Sequence, residues 1–160
     1  MLGDVVRPAS PDGKTIIPPE KYGLKLMSMG YMVDPNTAMI WRGPMLAGAV
    51  TQFVNEVEWG ELDYLIIDLP PGTGDIQLTL VQKLQLSGAI IVTTPQDLSL
   101  IDAKKAADMF KKVNTKILGI IENMSGFCCP HCNNTTEIFS GEGVSKESDR
   151  LQVPILGKIG

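Results

Sequence analysis

The sequence is short of most features that mark a specialised chain. It holds three cysteines and one histidine in 160 residues. Three thiols cannot build a disulfide framework, and an odd count leaves one unpaired. That favours a reducing compartment, with the thiols free, metal-bound or redox-active. Aromatic residues are 6% of the chain, and positive charge is not in excess: 14 Lys and Arg stand against 18 Asp and Glu, a net charge of −4. Broad electrostatic capture of nucleic acid is thereby disfavoured, and an anion is left only a local site built from backbone amides. Long hydrophobic runs are missing too. Stretches such as AIIV at 89–92 fall far short of the ~20 residues of a membrane span, and the first ten residues, with Asp4, Arg7 and Pro8, hold no run fit for a signal sequence. The expected location is the cytoplasm or another reducing compartment such as an organelle matrix, with no membrane and no nucleic acid as partner.

What is present is an ordinary globular composition, 44% hydrophobic and 20% charged. The length suits one domain, able to bury roughly 70% of its unfolded surface. We read 1–160 as a single domain with no internal boundary. The first 23 residues, with Pro8, Pro11, Pro18 and Pro19, read as an irregular lead-in, and residues 24–29 (LKLMSM) as a short strand ended by Gly30. Leu46, Val50, Phe53, Val54 and Val57 then recur at helical spacing. Four short apolar runs follow: YLIID at 64–68, AIIVT at 89–93, ILGII at 117–121 and PILGKI at 154–159. Such runs mark strands buried on both faces, as in parallel sheets. Helices are predicted between them: from about Asp75, from Ser99, and over 143–151. Ser99 has Asp102 in the capping-box position, and Ile101, Ala106, Met109, Phe110 and Val113 form the apolar face of that helix. Alternating strands and helices predict an α/β fold, a mostly parallel sheet flanked by helices. Ligands of such sheets gather at the carboxyl ends of the strands.

Three motifs lie at those ends. Asp68 closes the run at 64–68 and is followed by Pro70, Pro71, Gly72, Thr73, Gly74 and Asp75. An Asp so placed can hold a Mg²⁺-bound water, and Gly72 lets an amide approach a phosphate with no side chain in the way. The bland reading is a strand-to-helix turn punctuated by Pro and Gly. Asn123 follows the run at 117–121, where its paired donor and acceptor could read a base edge, although a lone Asn is more often a turn residue. The third motif is CCPHC at 128–132. Cys129 and Cys132 form a C-x-x-C pair able to bite one metal centre, yet Zn²⁺ and iron–sulfur clusters both want four such ligands and no second pair exists. A full site therefore needs a second chain, which a two-fold dimer supplies by symmetry. The alternatives are incidental loop cysteines or a C-P-H-C redox motif. The latter normally opens a helix that lowers a thiol pKa, whereas Asn133, Asn134, Thr135 and Thr136 are poor helix sequence.

Taken together, DYLIIDLPPGTGDIQLTL at 63–80, VTTPQD at 92–97 and ENMSGFCCPHC at 122–132 resemble the Mrp/ApbC-type P-loop ATPases. These are iron–sulfur cluster carriers related to the ParA/MinD ATPases. The resemblance implies a P-loop NTPase fold, with Asp68 as the Walker B-like aspartate near Mg²⁺ and in that sense catalytic. It implies Gly72 as the switch glycine near the γ-phosphate and Asn123 as the adenine contact. It implies Cys129 and Cys132 as half the ligands of a [4Fe–4S] cluster shared in a homodimer or a paralogue heterodimer, for ATP-dependent transfer to apo iron–sulfur proteins. Cys128 matches nothing in the family pair. Nor does this sequence contain the family's G-K-G-G-V-G-K-[ST] loop or any G-x-x-x-x-G-K-[ST] run. The reading is of a chain that begins just after that loop and stops before the family's C-terminal helices. Without the amide cradle, phosphate lysine and Mg²⁺ hydroxyl, it is expected neither to hydrolyse ATP nor to fold very stably alone. A partitioning or positioning ATPase without a cluster, and a dimeric structural-zinc module, are the alternative functions.

Overall fold

Turn chemistry organises the opening of the chain. The Asp12 carboxylate accepts from the backbone N–H of Lys14 at 3.0 Å and of Thr15 at 2.7 Å. These bonds, that of Thr15 first, hold its pKa below the usual carboxylate value. The structure, a computed structural model, describes residues 8–31, 43–69, 75–139 and 141–160. The chain divides into two units, Met1–Leu69 and Pro70–Gly160.

In the first unit, Ile16 and Val57 are buried and joined by a parallel bridge. Strands β1 (Glu20–Lys21) and β2 (Leu24–Lys25) form a small antiparallel hairpin. Its two central residues, Tyr22 and Gly23, both have positive φ, as a tight primed turn demands. The strand predicted at 24–29 is thus only two residues long, and Met29–Tyr31 is a 3₁₀ turn. Helix α1 (Gly43–Asn55) lies where the apolar spacing put it, but Val57 falls past its end. The run at 64–68 overturns its expectation. It forms no strand, and Tyr64 and Ile66 are 87% and 90% exposed. An apolar run becomes a strand only when neighbours satisfy its backbone, and none among the described residues pairs with it.

The second unit is the α/β fold expected. Helix α2 (Asp75–Lys83) precedes strand β3 (Ala89–Thr93), helix α3 (Asp97–Lys112) and strand β4 (Ile117–Glu122). A two-residue hairpin, β5 (Phe127–Cys128) with β6 (Thr135–Thr136), comes next, then helix α4 (Gly143–Leu151) and strand β7 (Ile155–Lys158). The sheet order is β3-β4-β7, all parallel. Helices α3 and α4 pack on it. Ile120, at the centre of the middle strand, has no exposed surface. The opposite side of the strands carries Ile90, Val92, Leu118 and Leu156, all exposed.

Two details of α3 differ from the sequence reading. The helix starts at Asp97 with Gln96 as N-cap, not at Ser99, because Pro95 is followed by Gln96 in extended geometry. No side chain is needed for that start, and Asp97 complements the helix dipole. Its buried face is Leu100, Ala103, Ala107, Met109 and Phe110, while Ile101 is exposed. That set keeps a truer i, i+3, i+7 spacing than the one read from the larger side chains. Between α3 and α4, Glu147 is almost wholly buried and accepts from Arg150 Nε at 3.0 and 2.9 Å. Arg150 also reaches Asp108 on α3 at 3.2 Å. Glu147 chiefly, then Asp108, pushes the guanidinium pKa upward, so the clamp stays charged.

Candidate functional site

The parallel ladder runs on past its strands, and that extension builds the site. The Asn123 N–H donates to the Thr93 carbonyl at 2.8 Å, and the Ile159 N–H to the Glu122 carbonyl at 2.8 Å. Asn123 therefore sits at the carboxyl end of the sheet, next to the end of β3. Its side-chain Oδ1 accepts from the Met124 N–H at 3.0 Å, which holds Met124 at φ 56. Beside it, Glu122 is buried and faces the Lys158 ammonium at 3.6 Å. Ser125 is tied to the end of β7, both its N–H (2.8 Å) and its hydroxyl (3.2 Å) donating to the Ile159 carbonyl. The Thr94 hydroxyl oxygen, at the end of β3, is buried with no hydrogen-bond partner. Sequence reasoning took in Thr94, Glu122 and Ser125 within the strand-end segments at 92–97 and 122–132 but gave them no role of their own. Their position at strand ends was the available signal.

The thiols follow directly. Residues 123–126 lead into the β5–β6 hairpin, and the C-x-x-C segment is its loop. The Cys129 N–H donates to the Asn134 carbonyl at 3.0 Å, and the Asn133 N–H to the Cys129 carbonyl at 2.8 Å. Asn133 takes the left-handed conformation that closes the turn. Cys129 is half-buried, whereas Cys128 and Cys132 are exposed. The backbone N–H of His131, then that of Cys132 and the Cys132 thiol, hold the Cys129 thiol below its ordinary range. The Cys128 sulfur lies 3.8 Å from the Asn133 carbonyl. Among the described residues no three His, Cys, Asp or Glu side chains gather to hold a metal ion. Cys129 and Cys132 by themselves offer two thiols, where a zinc ion or an iron–sulfur cluster takes four ligands.

Asp68 belongs to the first unit and is exposed. Gly72 lies outside the described residues. The structure thus brings Asn123, Cys129 and Cys132 onto one continuous strand, loop and hairpin. No helix among the described residues is long and apolar enough to cross a membrane.

With this geometry in hand, the chain can be compared with known proteins. The iron–sulfur cluster carrier protein of Pseudomonas fragi is 46% identical over 158 residues, covering 99% of this chain and 55% of that protein. The carrier protein of Methanocaldococcus jannaschii is 54% identical over 141 residues, 87% of this chain and 49% of that one. The iron–sulfur cluster transfer protein NUBPL of Mus musculus is 47% identical over 138 residues, 86% of this chain and 43% of its own. The chain spans about half the length of the curated relatives it matches. Among solved structures, a nucleotide-binding protein of Archaeoglobus fulgidus in complex with ADP superposes with a TM-score of 0.76. It is 36% identical, with 96% of this chain and 59% of that chain covered. The ParA model described as the NUBPL iron-transfer P-loop NTPase matches residues 1–160, and the chain belongs to that family.

Proposed function

We propose that the chain carries an iron–sulfur cluster as cargo, binding a [4Fe–4S] cluster between two copies or between itself and a paralogue, and passing it to apo-proteins. The observation that carries this reading is the Cys129/Cys132 loop, closed by backbone hydrogen bonds within the β5–β6 hairpin and rooted at the carboxyl end of β4. Two such loops supply four thiolates, the number a cluster takes. Each thiol gives up its proton on binding, and amide donors stabilise the thiolate that results. The relatives named as cluster carriers and cluster transfer proteins support the same reading.

Nucleotide enters this proposal through fewer residues. In this reading Asn123, at the carboxyl end of the sheet, meets a base, while the roles of Asp68 with a Mg²⁺-bound water and of Gly72 with a phosphate rest on their sequence motif alone. The ADP-bound relative from Archaeoglobus fulgidus supports a nucleotide site. No residue of this sequence supplies the G-x-x-x-x-G-K-[ST] cradle, so the donor set for ATP and Mg²⁺ is incomplete in these 160 residues and no step is routed through them.

Anaerobic reconstitution with iron and sulfide tests the cargo. The chain should gain the visible absorbance of thiolate-ligated iron, and the double variant Cys129→Ala, Cys132→Ala should lose it. Retained absorbance in that variant defeats the assignment. Zinc bound in stoichiometric amount, with iron refused when iron and sulfide are supplied, points instead to a structural metal.

A further inference from the structure

The hairpin loop sorts its three thiols by position. The Cys129 N–H donates to the Asn134 carbonyl at 3.0 Å, which carries the pairing of Cys128 with Thr135 one residue further along the hairpin. Cys128 and Cys129 are therefore consecutive positions on one ladder, and such neighbours point to opposite faces. The Cys128 thiol is turned to the Asn133 carbonyl, 3.8 Å from its sulfur. Past Cys129 the chain closes at once. The Asn133 N–H donates to the Cys129 carbonyl at 2.8 Å, with residues 130–132 as the turn. A closed turn holds the Cα atoms of positions i and i+3 within about 7 Å, and a disulfide spans roughly 4.4–6.8 Å between Cα atoms. Cys129 and Cys132 are that i, i+3 pair, and the backbone hydrogen bonds of the hairpin already meet the entropy of bringing them together. All three cysteines are free thiols, Cys128 and Cys132 exposed and Cys129 half-buried, so a small oxidant reaches them.

Resting on the cluster-carrier reading above, we propose that the loop is also a redox switch on that site: Cys129 and Cys132 close into an internal disulfide when a small-molecule disulfide of the glutathione class accumulates, and the closed loop takes no cargo. In a reducing compartment the pair rests as two thiols. One thiol of the pair loses its proton to solvent, its sulfur attacks the small disulfide, and half of that molecule leaves as a thiolate that takes up a proton. The other cysteine then loses its proton and displaces the second half, which is protonated in turn. Two S–H bonds of the chain and the S–S bond of the oxidant are exchanged for one S–S bond in the chain and two small-molecule thiols. The cysteine pair gives up two electrons and the oxidant gains them. Neither sulfur is then a thiolate, and iron finds no ligand pair on the loop. Cys128, turned to the Asn133 carbonyl, keeps its thiol. Strand β6 follows the turn where redox enzymes with a C-P-H-C motif continue into a helix, so the pair governs this chain's own loading and does not catalyse exchange on other proteins.

Equilibration of the full chain with glutathione and glutathione disulfide, followed by alkylation and peptide mass mapping, tests the pairing. The oxidised chain should carry an internal Cys129–Cys132 disulfide with Cys128 as its alkylated thiol, and Cys128→Ser should change neither the bridge nor its midpoint. Cys132→Ser should instead hold glutathione on Cys129 as a mixed disulfide. A bridge through Cys128, a bridge between two chains, or glutathione on each thiol of the parent chain overturns the proposal. Cd²⁺ alone, read by its thiolate charge-transfer band, tests the block. The reduced chain should bind it, the oxidised chain should lose that binding, and dithiothreitol should restore it. Cd²⁺ binding that oxidation leaves unchanged also overturns the proposal. A chain whose internal disulfide forms and excludes Cd²⁺, yet whose reduced form never loads iron and sulfide, leaves the switch standing and overturns the cargo reading beneath it.

Discussion

Two apolar runs of nearly the same composition meet different fates in this molecule. ILGII, with the following Glu122, becomes β4, the middle of a parallel sheet, paired to β3 on one edge and β7 on the other. YLIID at 64–68 stays outside any strand, with Ile66 90% exposed. Composition therefore marks a segment able to become a buried strand, and pairing decides whether it does. Parallel strands are joined by distant partners, so their formation is a property of the neighbourhood more than of the run itself.

The sharpest way to break that comparison is to truncate the same residue type in both runs. Ile120→Ala should cost about 2–5 kcal/mol in urea unfolding, because it opens a cavity in the centre of the sheet. Ile66→Ala should change stability by less than about 0.5 kcal/mol. Comparable losses would mean that the segment at 64–68 is buried in solution. The next effect concerns what holds helices over the sheet. Glu147→Ala leaves the Arg150 guanidinium with only Asp108, and should cost about 2 kcal/mol, a figure kept below that of a fully buried pair because Arg150 is partly exposed. A smaller contrast lies within the strands. A methyl added at Gly119 meets Leu156 and the Pro154 carbonyl, the latter at 2.7 Å, whereas one added at Gly157 meets open space. Gly119→Ala should lower the unfolding midpoint by an amount worth about 1–2 kcal/mol, and Gly157→Ala should leave it nearly unchanged.

Much of the second unit was legible in the sequence. AIIVT formed β3 with its predicted bounds, since Thr94 and Pro95 end the ladder there, and 143–151 formed α4 as read. The start of α3 was not, because Gln96 caps through its backbone while Ser99 displays the more familiar cap sequence. Nor was the burial of Glu147, since a carboxylate enters a core only with a partner, and Arg150 three residues on gave the pair no visible direction. The β5–β6 hairpin escaped notice for a different reason. Two-residue strands carry no period, and only the β-branched pair Thr135-Thr136 hinted at them. For the site, the C-x-x-C pair was evident from spacing, but its amide donors and the half-burial of Cys129 are products of the closed loop. The ties that join the loop to β7 through Ser125 and Ile159 are likewise set by folding, between residues 34 positions apart.

The central claim is that Cys129 and Cys132 are half a cluster site completed by a second chain. Iron analysis with native mass measurement on the anaerobically reconstituted chain tests it most directly. The account predicts one cluster per two chains, roughly two irons per chain, with the loaded species dimeric and the double Cys variant monomeric under the same conditions. A loaded monomer holding a full cluster, or a dimer whose iron content is unchanged when Cys129 and Cys132 are both replaced, would contradict it.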